Sequence, residues 1–196
     1  IKFHIIETYN AKNDEGLDEI FRHLKNSADQ VTALLDNLLN WALKEEGAMP
    51  FNPELLNIKI CFDDNISLMM LQAQSKSIAL ETQCDESIEA NLDKNSFMTI
   101  LRNLTSNAIK FTEENGRVGF SAHIEGEELI LAISDTGIGI EKDKISGLFE
   151  LRDSKVKYGT KGEKGTGLGL NLVHDFVKAN KGNITVESEV GKGTVF

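Results

Sequence analysis

The chain has 196 residues, of which 40% are hydrophobic and 27% charged, and its formal net charge is −10. That length holds one or two domains with a buried core, and the composition is that of an ordinary soluble globular protein. The acidic balance argues against nucleic acid as a partner, since a phosphate-binding surface needs a basic face. Cys61 and Cys84 are isolated and the four histidines are scattered, so no metal cluster is expected. Two thiols in a chain this long fit a reducing compartment, and no apolar run reaches the length of a membrane span. A cytoplasmic chain without membrane contact of its own is expected, and a parent anchored in the inner membrane stays compatible with that.

In chain order, residues 1–7 read as the end of a helix, and YNAKNDEG (residues 9–16) as a turn. Residues 17–46 place Leu17, Ile20, Leu24, Ala28, Val31, Leu34, Leu35, Leu38 and Trp41 at spacings of three and four. Such a stripe predicts a helical rod of roughly 45 Å. A hairpin of this kind has little core of its own. Pairing with a second copy in a four-helix bundle is the simplest remedy, and packing against the rest of its own chain is the alternative. GAMPFNPE (residues 47–54) breaks the pattern with one glycine and two prolines. It divides the chain into a helical domain, residues 1–48, and a second domain, residues 49–196.

In the second domain, residues 60–75 read as a helix, 78–83 and 89–92 as strands, and 94–111 as a helix. Residues 117–124 and 128–134 form a strand pair about a turn at 125–127. Residues 168–180 read as a helix, 183–189 as a strand, and 193–196 as the start of another. This order predicts an α+β fold: a helical hairpin, then a two-layer sandwich with a mixed sheet covered by helices on one face.

The helix at 94–111 carries an unusual stripe. Asn103, Asn107 and Lys110 share one face, at spacings of four and three. Asparagine is a mediocre helix former because its amide competes for backbone hydrogen bonds. Two glycine-rich stretches follow: DTGIGI (135–140) directly after a strand, and GEKGTGLGL (162–170) directly before a helix. Glycine allows close approach of backbone to a ligand, and the start of a helix suits phosphate. Other nucleotide motifs fail. GKGT (191–194) is not a Walker loop, and in the second glycine-rich stretch Gly169 comes one residue early for a dinucleotide fingerprint after Gly165 and Gly167.

Each stretch alone is a weak signal. In order, however, the Asn/Asn/Lys helix, DTGIGI, LFE (148–150), GTGLGL and GKGT resemble the ATP-binding domain of sensor histidine kinases, from about residue 55 onward. The hairpin, with NLLNWA at 37–42, resembles the dimerisation domain of the same kinases. The resemblance implies ATP and Mg²⁺ as cofactors, a homodimer formed through the hairpin, and a response-regulator receiver domain as partner. It implies that Asn107 gives its side-chain oxygen to Mg²⁺, supported by Asn103, and that Lys110 approaches the phosphates. Asp135 would accept a hydrogen bond from the exocyclic amine of adenine, on the order of 1.5–3 kcal/mol. Gly137 and Gly139 would let the backbone pass the base, Ile140 would border the purine, and Thr194 would reach adenine through water.

Residues 141–166 would form the lid over the nucleotide, with Phe149 as its phenylalanine. The proline that often follows it in relatives is missing. From Ser154 to Gly165 the lid sets Lys155, Lys157, Lys161 and Lys164 against Glu163, a net of about +3 that suits a triphosphate. Gly165, Thr166, Gly167, Leu168 and Gly169 would bring backbone against the phosphates.

The family's phosphoacceptor stands in the context H-[ED]-x-[RK]-x-P, and none of His4, His23, His123 or His174 fits it. The acceptor is therefore expected upstream of Ile1. Transfer from ATP to a histidine, then relay to a response-regulator aspartate, is the implied activity. A degenerate nucleotide-binding or dimerisation module is the alternative. Relatives that hydrolyse ATP carry an acid on the Asn helix. Here Arg102 precedes Asn103, and no acid follows until Glu113.

Overall fold

The computed structural model describes residues 51–149, 158–163, 167 and 169–196. The chain divides into Ile1–Met49 and Pro50–Phe196. The hairpin expected from the sequence falls in the first unit, outside the described residues.

The second unit starts with a strand that overlaps the glycine- and proline-containing break at residues 47–54. Strand β1 (Pro53–Asn57) pairs antiparallel with β3 (Glu89–Asp93), from Pro53 opposite Asp93 to Asn57 opposite Glu89. Proline is tolerated there because it occupies the first strand position. Asn57 ends β1 and caps helix α1 (Ile58–Gln74), its Oδ1 accepting from the Ile60 N–H at 3.0 Å. Helix α1 buries Ile58, Cys61, Phe62, Asn65, Met69 and Ala73, spaced at three and four, which is the face it turns inward. A left-handed residue, Ser77 at φ 52°, turns the chain into β2 (Ala79–Cys84).

Helix α2 (Lys94–Phe111) follows β3 in the same manner. Asp93 is its N-cap: Oδ1 accepts from Ser96 N at 2.8 Å, and Oδ2 accepts from Asn52 N at 3.0 Å. One carboxylate thus starts α2 and fastens the segment ahead of β1. Helix α2 buries Phe97, Ile100, Leu101, Leu104, Thr105, Ala108 and Ile109.

Strands β4 (Arg117–Glu125) and β5 (Glu128–Asp135) form a hairpin whose two-residue turn puts Gly126 at φ 62°, as a type II′ turn requires. One-turn helix α3 (Lys142–Ile145) comes next, then α4 (Gly169–Ala179), β6 (Glu187–Glu189) and β7 (Gly193–Val195). The main sheet runs β2-β4-β5-β7-β6. Its β2–β4 pair is parallel and the rest are antiparallel, so it is mixed, as expected. Val118, Phe120 and Ala122 of β4 and Ile133 of β5 are buried, while the alternating Gly119, Ser121 and His123 are not. The period of two marks one covered face. Helices α1 and α2 pack on that sheet and on each other, and α4 packs on α2. The rings of Phe62 and Phe120, 5.6 Å apart, join α1 to β4.

The strand expected at 183–189 is shorter than its residues suggest. Only Glu187–Glu189 is strand, because its one neighbour, β7, offers three residues to pair with. The remaining boundaries agree within two residues of the sequence reading.

Burial pushes the Asp93 carboxyl up, but hydrogen bonds from the backbone of Ser96 and Asn52 and from the Ser96 side chain outweigh it, leaving a depressed pKa. Its contribution to stability is therefore full above the unfolded value of about 3.9 and is lost as pH falls through the lower folded value. Asp93→Ala should cost about 1–2 kcal/mol in chemical denaturation at neutral pH. The gap from wild type should close as pH drops through the acid range.

Candidate functional site

Asp135 is the last residue of β5, opposite Thr194 of β7. Its Oδ1 accepts two backbone hydrogen bonds, from Gly137 N at 2.8 Å and Thr194 N at 3.2 Å. Its Oδ2 makes no hydrogen bond among the described residues. Burial raises the pKa of this carboxyl, and the two N–H groups offset part of that rise. The result is a carboxylate oriented through one oxygen, with the accepting capacity of the other left for a ligand.

The loop after Asp135 is tied down on both sides. Ile138 N donates to Phe111 O, the end of α2, at 3.1 Å. Gly191 N donates to Ile138 O at 2.9 Å, and Ile140 N donates to Ser188 Oγ at 2.8 Å. Gly137 has no room for a side chain, since a Cβ there would lie 2.4 Å from Phe111 O. Gly139 runs against the backbone of Glu189. Gly193, at φ 118°, lets β7 pass so near β5 that a Cβ would fall 1.8 Å from Asp135 O. This close approach aims Thr194 N at the carboxylate.

Thr194 is itself buried, with its Oγ1 2.9 Å from Ser188 Oγ. Ser188 also donates to Gly193 O at 2.9 Å. Ser188 was not singled out in the sequence. It is one serine in a charged edge strand, and only the fold brings its hydroxyl between loop 135–140 and β7.

The polar stripe lies on the last three turns of α2. Asn103 Nδ2 donates to Thr99 O at 2.9 Å. Gly169, the first residue of α4, comes so close that a Cβ on it would lie 2.6 Å from Asn103 Oδ1. The start of α4, with the free N–H groups of a helix N-terminus, thus meets the stripe. Asn107 is half-buried, and its amide makes no hydrogen bond among the described residues. A half-buried amide oxygen without a protein partner suits one ligand position of Mg²⁺, which takes few protein oxygens and shares the rest with phosphate and water. Lys110 is 8% exposed, with Nζ 4.8 Å from the centre of the Phe111 ring. Burial lowers its pKa, and the nearby Glu163 carboxylate raises it in part.

Phe149 stacks between His174 and Phe196, at ring separations of 5.7 and 6.4 Å, and its carbonyl accepts from Asn171 Nδ2. It is anchored to α4 and to the residue after β7 without the proline of relatives. Gly165, Thr166 and Leu168 lie outside the described residues, as do Lys155, Lys157 and Lys164. Gly167 has φ 74°.

Of the lid lysines, Lys161 pairs with Glu114 at 2.7 Å and donates to Ser75 O at 2.9 Å. Glu163 turns to Lys76, a residue that carries no signal in the sequence.

A mixed sheet with α1 and α2 packed on it and α4 on α2, a buried carboxyl at the end of β5 and an Asn/Asn/Lys stripe on α2, is the arrangement expected of an ATP-binding domain. Residues 92–196 match the family described as histidine kinase-, DNA gyrase B-, and HSP90-like ATPase. An uncharacterized sensor-like histidine kinase of Rhizobium meliloti is 32% identical over 173 residues, which cover 88% of this chain and 33% of that protein. Full-length ShkA in complex with AMPPNP is similar in structure, with a TM-score of 0.72 at 28% identity, over 87% of this chain and 35% of that one. Histidine kinase ThkA in complex with the response regulator protein TrrA gives a TM-score of 0.63 at 19% identity, over 85% of this chain and 47% of that one, a likeness of fold. The chain belongs to this ATPase family and contains the ATP-binding catalytic domain of a sensor histidine kinase. It spans a third or less of the length of the curated relatives it matches.

The raised pKa of Asp135 carries a cost to folding. The penalty is full above the folded pKa and vanishes below the unfolded value of about 3.9. Asp135→Asn keeps an oxygen for Gly137 N and Thr194 N while removing the charge. Its denaturation midpoint at neutral pH should equal or exceed that of wild type, with the difference shrinking as pH falls.

Proposed function

We propose that this chain binds Mg·ATP between α2 and loop 135–140 and donates the γ-phosphoryl to a histidine, for relay to an aspartate of a response-regulator receiver domain. The observation that carries the nucleotide reading is Asp135, with Oδ1 fixed by two backbone N–H groups and Oδ2 left to accept. The exocyclic amine of adenine is a fitting donor, and guanine presents a carbonyl there instead. Gly137 and Gly139 bring backbone along the base, with Ile140 at its border. Thr194 orients Asp135 through its N–H and, by resemblance, reaches the base through water.

The stripe handles the other end of the nucleotide. Asn107 gives its oxygen to Mg²⁺, Asn103 braces it against the start of α4, and Lys110 supplies positive charge. Gly165, Thr166, Gly167, Leu168 and Gly169 bring backbone N–H groups to the phosphates, and Phe149 fastens the lid. When bound, Mg²⁺ neutralises phosphate charge in the transfer step. Phosphoryl transfer needs positioning and electrostatic stabilisation above all, and these residues supply both.

Transfer is favoured over hydrolysis because α2 carries no Asp or Glu along its length, so the helix itself sets no carboxylate beside the two asparagines to activate water. The acceptor is a histidine outside these 196 residues. His123 lies on β4 and His174 on α4 against Phe149, while His4 and His23 lack the acceptor context. Residues 1–48 form the dimerisation hairpin in this reading. A receiver domain is the fitting partner, as the ThkA–TrrA complex illustrates for a protein of like fold.

Asn107→Ala should weaken Mg²⁺-dependent binding of AMPPNP about tenfold or more, with little change when Mg²⁺ is chelated, measured by calorimetry. With γ-labelled ATP the wild-type chain alone should bind nucleotide without gaining phosphohistidine. Label mapped to any of its four histidines contradicts the acceptor assignment. An Asn107→Ala affinity equal to wild type in Mg²⁺ contradicts the metal role.

A further inference from the structure

Lys76 sits in the corner between α1 and β2 and is 2% exposed. A lysine carries the most hydrophilic of side-chain heads, so burial of this degree demands partners. Its Nζ has four oxygens in reach: Ile109 O at 2.9 Å, Lys110 O at 3.0 Å, Thr160 Oγ1 at 2.5 Å and Glu163 Oε1 at 3.2 Å. An ammonium has three protons, so at least one is shared.

The partners fall into two groups. Ile109 O and Lys110 O are terminal carbonyls of α2, which lack intrahelical donors and carry the negative end of the helix dipole. Thr160 and Glu163 belong to the segment that precedes the glycine-rich stretch before α4 in sequence. That segment closes on itself through Gly159 N to Glu163 O at 2.8 Å and Lys161 N to Glu163 Oε2 at 2.8 Å. It also seats directly on α2: Thr160 N donates to Lys110 O at 3.0 Å, and Thr160 Oγ1 donates to Thr112 O at 2.9 Å. Gly159 rests on Lys110, where a Cβ would meet Lys110 Cγ at 2.5 Å.

We propose that Lys76 is a positioning residue of the nucleotide site, a clamp that fixes residues 158–163 to the end of α2 and so sets Lys110 and the approach to the glycine-rich turn. This rests on the reading that α2 and that turn hold the phosphates of ATP. Lys76 acts from behind the site: it grips the carbonyl of Lys110 itself and touches no ligand position. Glu163 supplies the balancing charge between two lysines, and Thr160 carries the geometry.

The test combines backbone amide exchange with calorimetric binding of Mg·AMPPNP on the whole chain. Glu163→Gln and Thr160→Val should speed exchange at Thr160 N and weaken binding about tenfold, the scale of one charged hydrogen bond. Thr160→Ser, which keeps the hydroxyl, should restore both. Lys76→Met should do at least as much, and combining it with Glu163→Gln should add little, since the two remove one interaction. Should Lys76→Met not fold, the Glu163 and Thr160 variants carry the test. Faster exchange with unchanged affinity leaves Lys76 a purely structural tie and overturns the proposal, as does no change in either. Asp135→Asn separates the two failures. If it binds AMPPNP like wild type, the nucleotide reading falls and the clamp with it. If it binds weakly while Glu163→Gln binds normally, the clamp alone falls.

Discussion

An α-helix ends in carbonyl oxygens that its own backbone leaves without donors. In α2 the last four are all taken, the first by its own C-cap residue and the other three by groups of other segments. Ala108 O accepts from Thr112 N and Oγ1, Ile109 O from Lys76, Lys110 O from Lys76 and Thr160 N, and Phe111 O from Ile138 N. Loop 135–140 and residues 158–163 are therefore fastened to one helix end. That helix end also carries Lys110, with Asn107 one turn back.

The site is held at a cost in two places. Asp135 keeps its carboxylate in a buried position that disfavours the charge, and Lys110 keeps its ammonium where burial disfavours it. Neither group helps the fold by being charged. Both groups are perturbed by burial and opposite in sign, and groups of this kind cluster at functional sites. The two backbone N–H groups on Asp135 Oδ1 restrain the carboxyl group and leave Oδ2 as an acceptor, where a hydrogen bond to the ionised form would be charge-assisted.

Much of the fold was legible because its periodicities are strong. The spacing of Phe97, Ile100, Leu101, Leu104 and Ala108 defines α2, and alternation of Val118, Phe120 and Ala122 defines β4. Asn103, Asn107 and Lys110 stood out as a polar stripe on a packed helix, and Asp135 through its place in DTGIGI and the resemblance that stretch carries. What stayed hidden depends on long-range geometry. Strand β1 begins with a proline in a segment that reads as a break between domains, and it is strand because β3 pairs with it. Residues 183–186 look extended but find no ladder beyond the three residues of β7. Neither Lys161 nor Lys76 has a neighbour in sequence that announces its partner. One pairs with Glu114 at the surface, and the other is buried because α2 happens to end beside it. No local pattern distinguishes the two.

The central claim is that Asp135 reads the exocyclic amine of the base. The most direct measurement compares the affinity of the wild-type chain for Mg·ATP and Mg·ITP, which differ in the group placed opposite that carboxylate, an amine in one and a carbonyl in the other. A charge-assisted hydrogen bond of about 1.5–3 kcal/mol corresponds to a preference for ATP of roughly 10- to 100-fold. Equal affinity for the two nucleotides contradicts the account.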